Sequence, residues 1–188
     1  MTHAPMPAVQ PAAIPEAALL DRLRKAGCFV DCFTTVLPIP VTCPQFVAAF
    51  YTTPLFKAER LVLRLVLGRR STDRQAQELA DGNGDRFAVW RMAERTADEI
   101  LLTDERGQTS SWLMVSPEPT PDADHTRLFF GSAIKPRSLG PTGEPKLGPV
   151  FQAILGFHEI YSRLLLQAAA NRLLARQDRV TAPNLRRP

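Results

Sequence analysis

The chain has 188 residues, of which 45% are apolar and 22% charged, and its formal net charge is +4. This length fits a single domain with a sizeable core, and the composition is typical of globular rather than disordered proteins. With only 3 His and 3 Cys, a metal cluster of these ligands is nearly excluded. No apolar run approaches the roughly 20 residues that are needed to cross a bilayer.

The first elements in chain order are a lead-in, a short helix and a strand. Residues 1–15 lack both a basic start and a continuous apolar stretch, so we expect a flexible lead-in and not a secretory signal. An amphipathic helix is predicted over residues 16–26, with Gly27 as its natural end. Residues 28–37 are rich in β-branched and aromatic side chains and predict a strand that ends at Pro38.

The three cysteines are expected to be free thiols. At strand spacing Cys28 and Cys32 lie about 13 Å apart, which is too far for a disulfide. Cys43 completes an odd set, and small core residues are the simplest interpretation of all three. Free, partly buried thiols fit a reducing cytoplasm, which is the location we expect.

Helix start signals follow in the next segment. Thr42 and Gln45 have the spacing of a capping box and predict a helix that continues to about residue 52. Pro54 begins a second helix, which Gly68 ends. A third short helix is predicted over residues 72–80.

The segment from Lys57 to Arg74 holds six basic and two acidic residues. Lys57, Arg60 and Arg64 share one side of the second helix, and a solvated helix face is the simplest interpretation. A weak contact with an anionic surface or another acidic partner is the alternative. Nucleic-acid binding is not expected, because exposed aromatic residues are not interleaved with the charge and the second helix is too apolar to read bases.

Four strand-like runs with short turns then predict an antiparallel meander. Asp104–Gly107 has the glycine that a hairpin turn with a bulge requires. The prolines at 117, 119 and 121, with their acidic neighbours, predict an exposed loop. The four runs are residues 87–96, 99–103, 109–116 and 126–135.

A long helix is predicted from residue 150 to about 177, after a loop over residues 136–149. Its apolar stripe must pack on the sheet, so we expect an α+β fold with a cleft between sheet and helix. A single domain over residues 16–177 and a basic tail over 178–188 complete the predicted organisation. The stripe consists of Val150, Ile154, Phe157, Tyr161, Leu164, Leu165 and Ala168.

Four stretches of the sequence resemble a known group: AFYTTPLFKAERLVLRLVLGRRSTD, SSWLMV, LFFGSAI and LGFHEIYSRLLLQAA. They resemble a bacterial domain-of-unknown-function family in the START-like (SRPBCC, helix-grip) superfamily, which includes polyketide cyclase/dehydrase and lipid-transfer proteins. The similarity spans about Phe29 to Leu174. It implies a curved antiparallel sheet wrapped around the C-terminal helix, with two or three short helices before the meander. It also implies more strands than the five placed so far, with Gly82–Asp85 or the bend near Thr96 as candidate positions.

His158 and Tyr161 are the candidate catalytic residues, because they lie one helical turn apart near the apolar stripe. Together they could bind a carbonyl group or act as acid and base, although a core histidine beside a hydrogen-bonded tyrosine is the simpler interpretation. For the aromatic residues among the candidate ligand contacts, a position in the core is the simpler interpretation. The candidate ligand-binding residues are Trp90, Trp112, Phe130, Ser132, Ile154, Phe157 and Tyr161.

Three functional hypotheses remain open at this point. The first is a non-enzymatic module that binds a small apolar molecule between sheet and C-terminal helix. The second is an enzyme of cyclase, dehydratase or isomerase type that uses Tyr161 and His158. The third is a structural or interaction module that uses the basic segment. No cofactor or metal is expected, because the sequence lacks nucleotide-binding, serine hydrolase and metal-ligand motifs.

Overall fold

The structure, a computed structural model, describes residues 8–58, 60, 71–120, 123–136 and 149–181. Within these ranges the side chains at 119–120, 123–124, 149–157 and 180–181 are not described. The chain has an α+β architecture in which short helices and a long C-terminal helix accompany one antiparallel sheet. The elements are β1 (Gln10–Pro11), α1 (Leu19–Lys25), β2 (Phe29–Leu37), α2 (Cys43–Tyr51), α3 (Asp73–Ala80), β3 (Arg86–Phe87), β4 (Trp90–Arg95), β5 (Glu99–Asp104), β6 (Thr109–Thr120), β7 (Ala123–Ile134) and α4 (Pro149–Thr181).

The sheet has seven strands in the order β1-β2-β7-β6-β5-β4-β3. The predicted meander is confirmed, since β4 to β7 pair in sequence and β2 joins the free side of β7. The two strands that were not placed from the sequence contain two residues each, which is too short for any periodicity. One of them, Gln10–Pro11, lies within the expected lead-in and pairs with β2. The other, Arg86–Phe87, follows the Gly82–Asp85 segment.

The predicted proline loop is instead largely strand, because β6 continues to Thr120 and pairs with β7 over its whole length. The backbone N–H of Val115 points toward β5, where it donates to the carbonyl of Asp98 at 2.8 Å. Antiparallel strands alternate their direction of pairing, so positions 117 and 119 also face the β5 side, beyond the end of β5. Pro117 and Pro119 therefore remove no hydrogen bond to β7, and they deprive the free edge of the donors that another strand would need.

The predicted helices at α2 and α3 are confirmed, and α1 begins at Leu19 and not at the predicted residue 16. The side chains of Thr42 and Gln45 form a reciprocal capping box at α2, as predicted. Thr72 and Gln75 form a second capping box at α3. At α1, Ala18 supplies no side-chain cap.

The sheet is covered on both faces. On the inner face, α2 and α4 enclose the larger core, which contains Phe33, Phe130 and most of α2. On the outer face, α1 covers a smaller apolar cluster that includes Trp112 and Phe129. Core packing therefore occupies both sides of the central strands.

The long helix α4 matches the predicted span, but its buried stripe is rotated from the predicted one. Leu164 was placed on the stripe and is 53% exposed, whereas Leu166 and Ala169 are fully buried. The rotation arises because α4 packs against α2 as well as the sheet. Each residue turns the helix by about 100°, so a second packing partner shifts which residues face the core.

Candidate functional site

A carboxylate on β2 and a hydroxyl on β7 form the base of the site. Asp31 and Ser132 are directly opposite in the β2–β7 register, and both side chains project from the inner face. Ser132 donates its backbone N–H to Asp31 Oδ1 at 2.8 Å. The hydroxyl oxygen of Ser132 lies 2.7 Å from the same carboxylate oxygen. The register of two neighbouring strands thus fixes this pair.

The helix α4 places an imidazole above the pair. His158 Nε2 lies 2.8 Å from Ser132 Oγ and 3.3 Å from Asp31 Oδ2. The buried hydroxyl of Ser162, one helical turn further along α4, lies 3.5 Å from the same nitrogen. We refer to Asp31, Ser132 and His158 as the polar cluster.

The number of protons that each group can donate fixes the direction of these hydrogen bonds. A serine hydroxyl has one proton to donate, and an ionised carboxylate can only accept. The short contact between Ser132 Oγ and Asp31 Oδ1 therefore requires the hydroxyl to donate to the carboxylate. Ser132 must then accept from His158, so Nε2 carries a proton. In the neutral imidazole, Nδ1 is then the nitrogen that can accept.

This arrangement differs from the triad of serine hydrolases. In such a triad the carboxylate and the serine bind opposite nitrogens of the imidazole, and the imidazole accepts the serine proton. Here Asp31 and Ser132 both contact Nε2, and the Ser132 proton is held by Asp31. Ser132 is consequently not activated as a nucleophile.

The carboxyl of Asp31 stays ionised in this setting. Burial alone would raise its pKa, but the hydrogen bonds from His158 and Ser132 outweigh burial and hold the pKa below its ordinary value. The polar cluster is only partly covered, with the His158 side chain 26% and the Asp31 side chain 16% exposed. It is therefore accessible from one side while its other side meets the inner core.

The interior beside the polar cluster is filled where the structure describes it. Phe33 and Phe130 each lie two residues from Asp31 and Ser132 on their strands, face each other in the register, and are nearly fully buried. On α4, Leu165, Leu166 and Ala169 close the gap to the sheet. The described part of the sheet–helix interface from Ser162 onward is therefore packed protein.

The predicted site residues are distributed over three locations. Ser132 and His158 belong to the polar cluster, and half-buried Tyr161 packs against the inner core. Phe130 is a core residue whose ring centroid lies 4.6 Å from that of Phe50. The side chains of Ile154 and Phe157 lie outside the described residues.

The two tryptophans lie far from the polar cluster. Trp90 packs on the inner core at the distant edge of the sheet. Trp112 lies on the outer face, where its indole N–H donates to Glu99 Oε2 at 2.6 Å. The same oxygen accepts from the backbone N–H of Leu19 at 2.9 Å and so caps α1 from 80 residues away. A ligand between the sheet and α4 would not contact Trp112.

The basic residues predicted as a surface patch are engaged within the protein. Lys57 and Arg60 both form ion pairs with Asp73, at 2.5 Å and 2.7 Å. The Arg60 side chain is only 11% exposed, and its guanidinium lies 5.5 Å from the ring centroid of Phe87. Arg64 lies outside the described residues. The described basic residues of this segment, Lys57 and Arg60, therefore stabilise the region around α3.

The sequence reasoning missed Asp31 and Ser162. A carboxylate in the middle of the apolar strand 28–37 is a detectable signal, because a buried charge needs a partner. Ser162 gives no such signal within the helix.

No group of three or more His, Cys, Asp and Glu side chains is placed to hold a metal ion in the described part of the chain. The described helices include none that is long and apolar enough to span a membrane.

Comparison with known proteins adds no relative from which a function could be inferred. No protein family model, no curated protein and no solved structure matches this chain. The functional argument therefore rests on the geometry of the sheet, α4 and the polar cluster.

Proposed function

We propose that the protein is a START-like binding module that holds a small, mostly apolar molecule between the sheet and the first turns of α4. The observation that carries this proposal is the polar cluster, a partly exposed set of hydrogen-bonding groups at the border of an apolar interior. Largely apolar sites with a few convergent polar groups are typical of small-molecule binding. The order of strands and the long C-terminal helix support the same family-level interpretation.

The position of the ligand follows from what is already packed. The interface beyond Ser162 is filled, so the ligand would lie on the other side of His158, beside the preceding turns of α4. Ile154 and Phe157 in those turns are the proposed apolar contacts. Trp90, Trp112 and Phe130 are assigned to packing in this proposal.

The polar cluster also suggests what the ligand carries. With Nε2 committed to Ser132 and Asp31, the neutral form of His158 would present Nδ1 as an acceptor. A hydroxyl group on the ligand would donate to it, while the rest of the molecule extends along apolar side chains. Asp31 would hold the imidazole in this orientation and would not itself touch the ligand.

The test uses delipidated full-length protein and the neutral fluorescent probe N-phenyl-1-naphthylamine. We expect saturable binding, competition by medium-chain alcohols, and weaker competition in His158→Ala. His125→Ala is the matched control, because His125 lies seven residues from Ser132 along β7, about 23 Å at strand spacing. Wild-type protein that shows no saturable binding would contradict the proposal, and so would equal effects of the two histidine variants.

A second candidate is an enzyme of isomerase or dehydratase type, favoured by the orientation that Asp31 imposes on His158. A carboxylate-held imidazole is a common general acid or base, and Tyr161 lies one turn away. Compounds extracted from the natively purified protein would be returned to it in deuterated water. Solvent deuterium incorporated by the wild type and not by His158→Gln would indicate proton transfer, whereas binding without incorporation would favour the module.

A further inference from the structure

A pocket lies at the β3 edge of the sheet, away from the polar cluster. It has a volume of about 390 Å³ and surrounds the β3–β4 hairpin. Two strands, β6 and β5, separate this hairpin from β7. The pocket is lined by Gln75, Arg86, Phe87, Ala88, Trp90, Arg91 and Glu105.

Two arginines face each other across the hairpin. The β3–β4 register places Arg86 directly opposite Arg91, and both residues are exposed. Like charges at directly opposed positions destabilise a strand pair. Neither guanidinium has a hydrogen bond or an ion pair with another residue in the described ranges. With Glu105, the charged side chains of the lining carry a net charge of +1.

The hairpin also contains strain and an unused donor. Ala88 has a φ of 56°, a value that two-residue hairpin loops require and that glycine normally supplies. The indole N–H of Trp90 is buried and has no hydrogen-bond partner among the described residues. An unpaired buried donor is energetically unfavourable. Three locally unfavourable features therefore coincide at one pocket.

We propose that this Arg86–Arg91 pocket binds a small organic anion, a phosphate or carboxylate group carried on an aromatic or apolar body. A guanidinium fork binds either anion through two parallel hydrogen bonds. An anion between Arg86 and Arg91 would relieve their repulsion. Strand alternation places the two arginines on the opposite face from Phe87 and Trp90. The pocket lies at the edge strand β3 and is lined by residues of both faces, so the apolar body would reach Trp90 around this edge. The guanidinium of the neighbouring Arg60 is hydrogen-bonded to Ser71 and Asp73, so it is already engaged within the protein.

The experiment follows the indole N–H signals of full-length ¹⁵N-labelled protein during titration with phenyl phosphate. The chain has two tryptophans, and Trp112, bonded to Glu99, is the internal reference. We expect a saturable shift of the Trp90 signal and none at Trp112. Benzoate is also expected to shift the Trp90 signal and not the Trp112 signal, with a dissociation constant of its own. Neutral phenol is expected to shift neither signal.

The matched variants separate a built site from general charge attraction. The double variant Arg86→Gln and Arg91→Gln should weaken phenyl phosphate binding by about tenfold or more, because two charge-assisted contacts are lost. Arg106→Gln, in the exposed β5–β6 turn, removes a charge outside the pocket and should change the affinity less than about twofold. Equal losses in the two proteins would overturn the proposal, as would a Trp90 shift with phenol. Equal affinity for inorganic phosphate would overturn the assignment of an organic ligand. Unchanged circular dichroism of the variants confirms that they fold.

Discussion

Replacing Asp31 with asparagine tests the hydrogen-bond network of the polar cluster most directly. In the native network Oδ1 accepts two protons from Ser132, and Oδ2 faces the protonated Nε2 of His158. An asparagine amide has only one accepting atom. Whichever way it is oriented, its NH₂ group meets a donor of Ser132 or of His158. The substitution thus loses a charge-assisted contact and creates a donor–donor conflict.

The expected loss of stability is about 2–3 kcal/mol, the range for hydrogen bonds to charged groups that are partly buried. For a chain of this size, the loss corresponds to a melting temperature lower by about 5–10 °C at pH 7. The effect must depend on pH. Because the pKa of Asp31 is lowered in the folded state, its stabilisation is complete above the pKa of the unfolded state, near 4. That stabilisation is lost as the pH falls through the lower pKa of the folded state.

Urea unfolding followed by circular dichroism at pH 7 and at pH 2.5 measures this difference. Asp178→Asn is the matched control, since Asp178 is exposed near the end of α4 and the substitution changes the same charge. We expect the control to remain within about 0.5 kcal/mol of the wild type. A difference between wild type and Asp31→Asn that is as large at pH 2.5 as at pH 7 would refute the electrostatic account of the cluster.

Three further predictions concern other parts of the core. Cys28 should react with a thiol reagent in the folded protein, while Cys32 and Cys43 should react only on unfolding, since burial raises their pKa to about 12 and about 11; equal rates by mass spectrometry would contradict this. Gly131→Ala should destabilise by about 3 kcal/mol in urea unfolding, because its Cβ would lie 2.7 Å from a backbone carbonyl oxygen of β2; a near-neutral result would refute the tight approach. Glu99→Ala should lower the free energy of unfolding by about 3–5 kcal/mol, because two buried donors are left unpaired. Glu99→Gln keeps an acceptor and should retain most of that stability. Similar losses for both variants would show that the hydrogen bonds are not the cause.

Local chemistry explains which elements could be predicted. Strand runs separated by short turns gave the meander, and the Thr42–Gln45 spacing gave the start of α2. These features depend on residues close together in the chain. The two-residue strands depend on their partners instead, since Gln10 and Pro11 are strand only because β2 offers a free edge.

The polar cluster shows the same limit at the level of a site. His158 and Ser132 were both recognised, but as separate candidates, and Asp31 was not. The contact between Asp31 and Ser132 spans 101 residues and exists because the β2–β7 register places them opposite. A shift of one residue would move Asp31 to the outer face. Such a register is determined by the whole sheet and cannot be read from either strand alone.

Trp112 shows why the face of a central strand is equally hard to assign. Residues 112–115 read Trp-Leu-Met-Val, and such a continuous apolar run means that both faces of the strand are covered. Alternation then places Trp112 and Leu113 on opposite faces without saying which one meets α4. The face that Trp112 occupies depends on α1, because the first N–H of α1 and the indole N–H of Trp112 both donate to Glu99. Because this buried hydrogen bond fixes Trp112 to the outer face, Leu113 and Val115 point toward the inner core, and β6 contributes aliphatic side chains there.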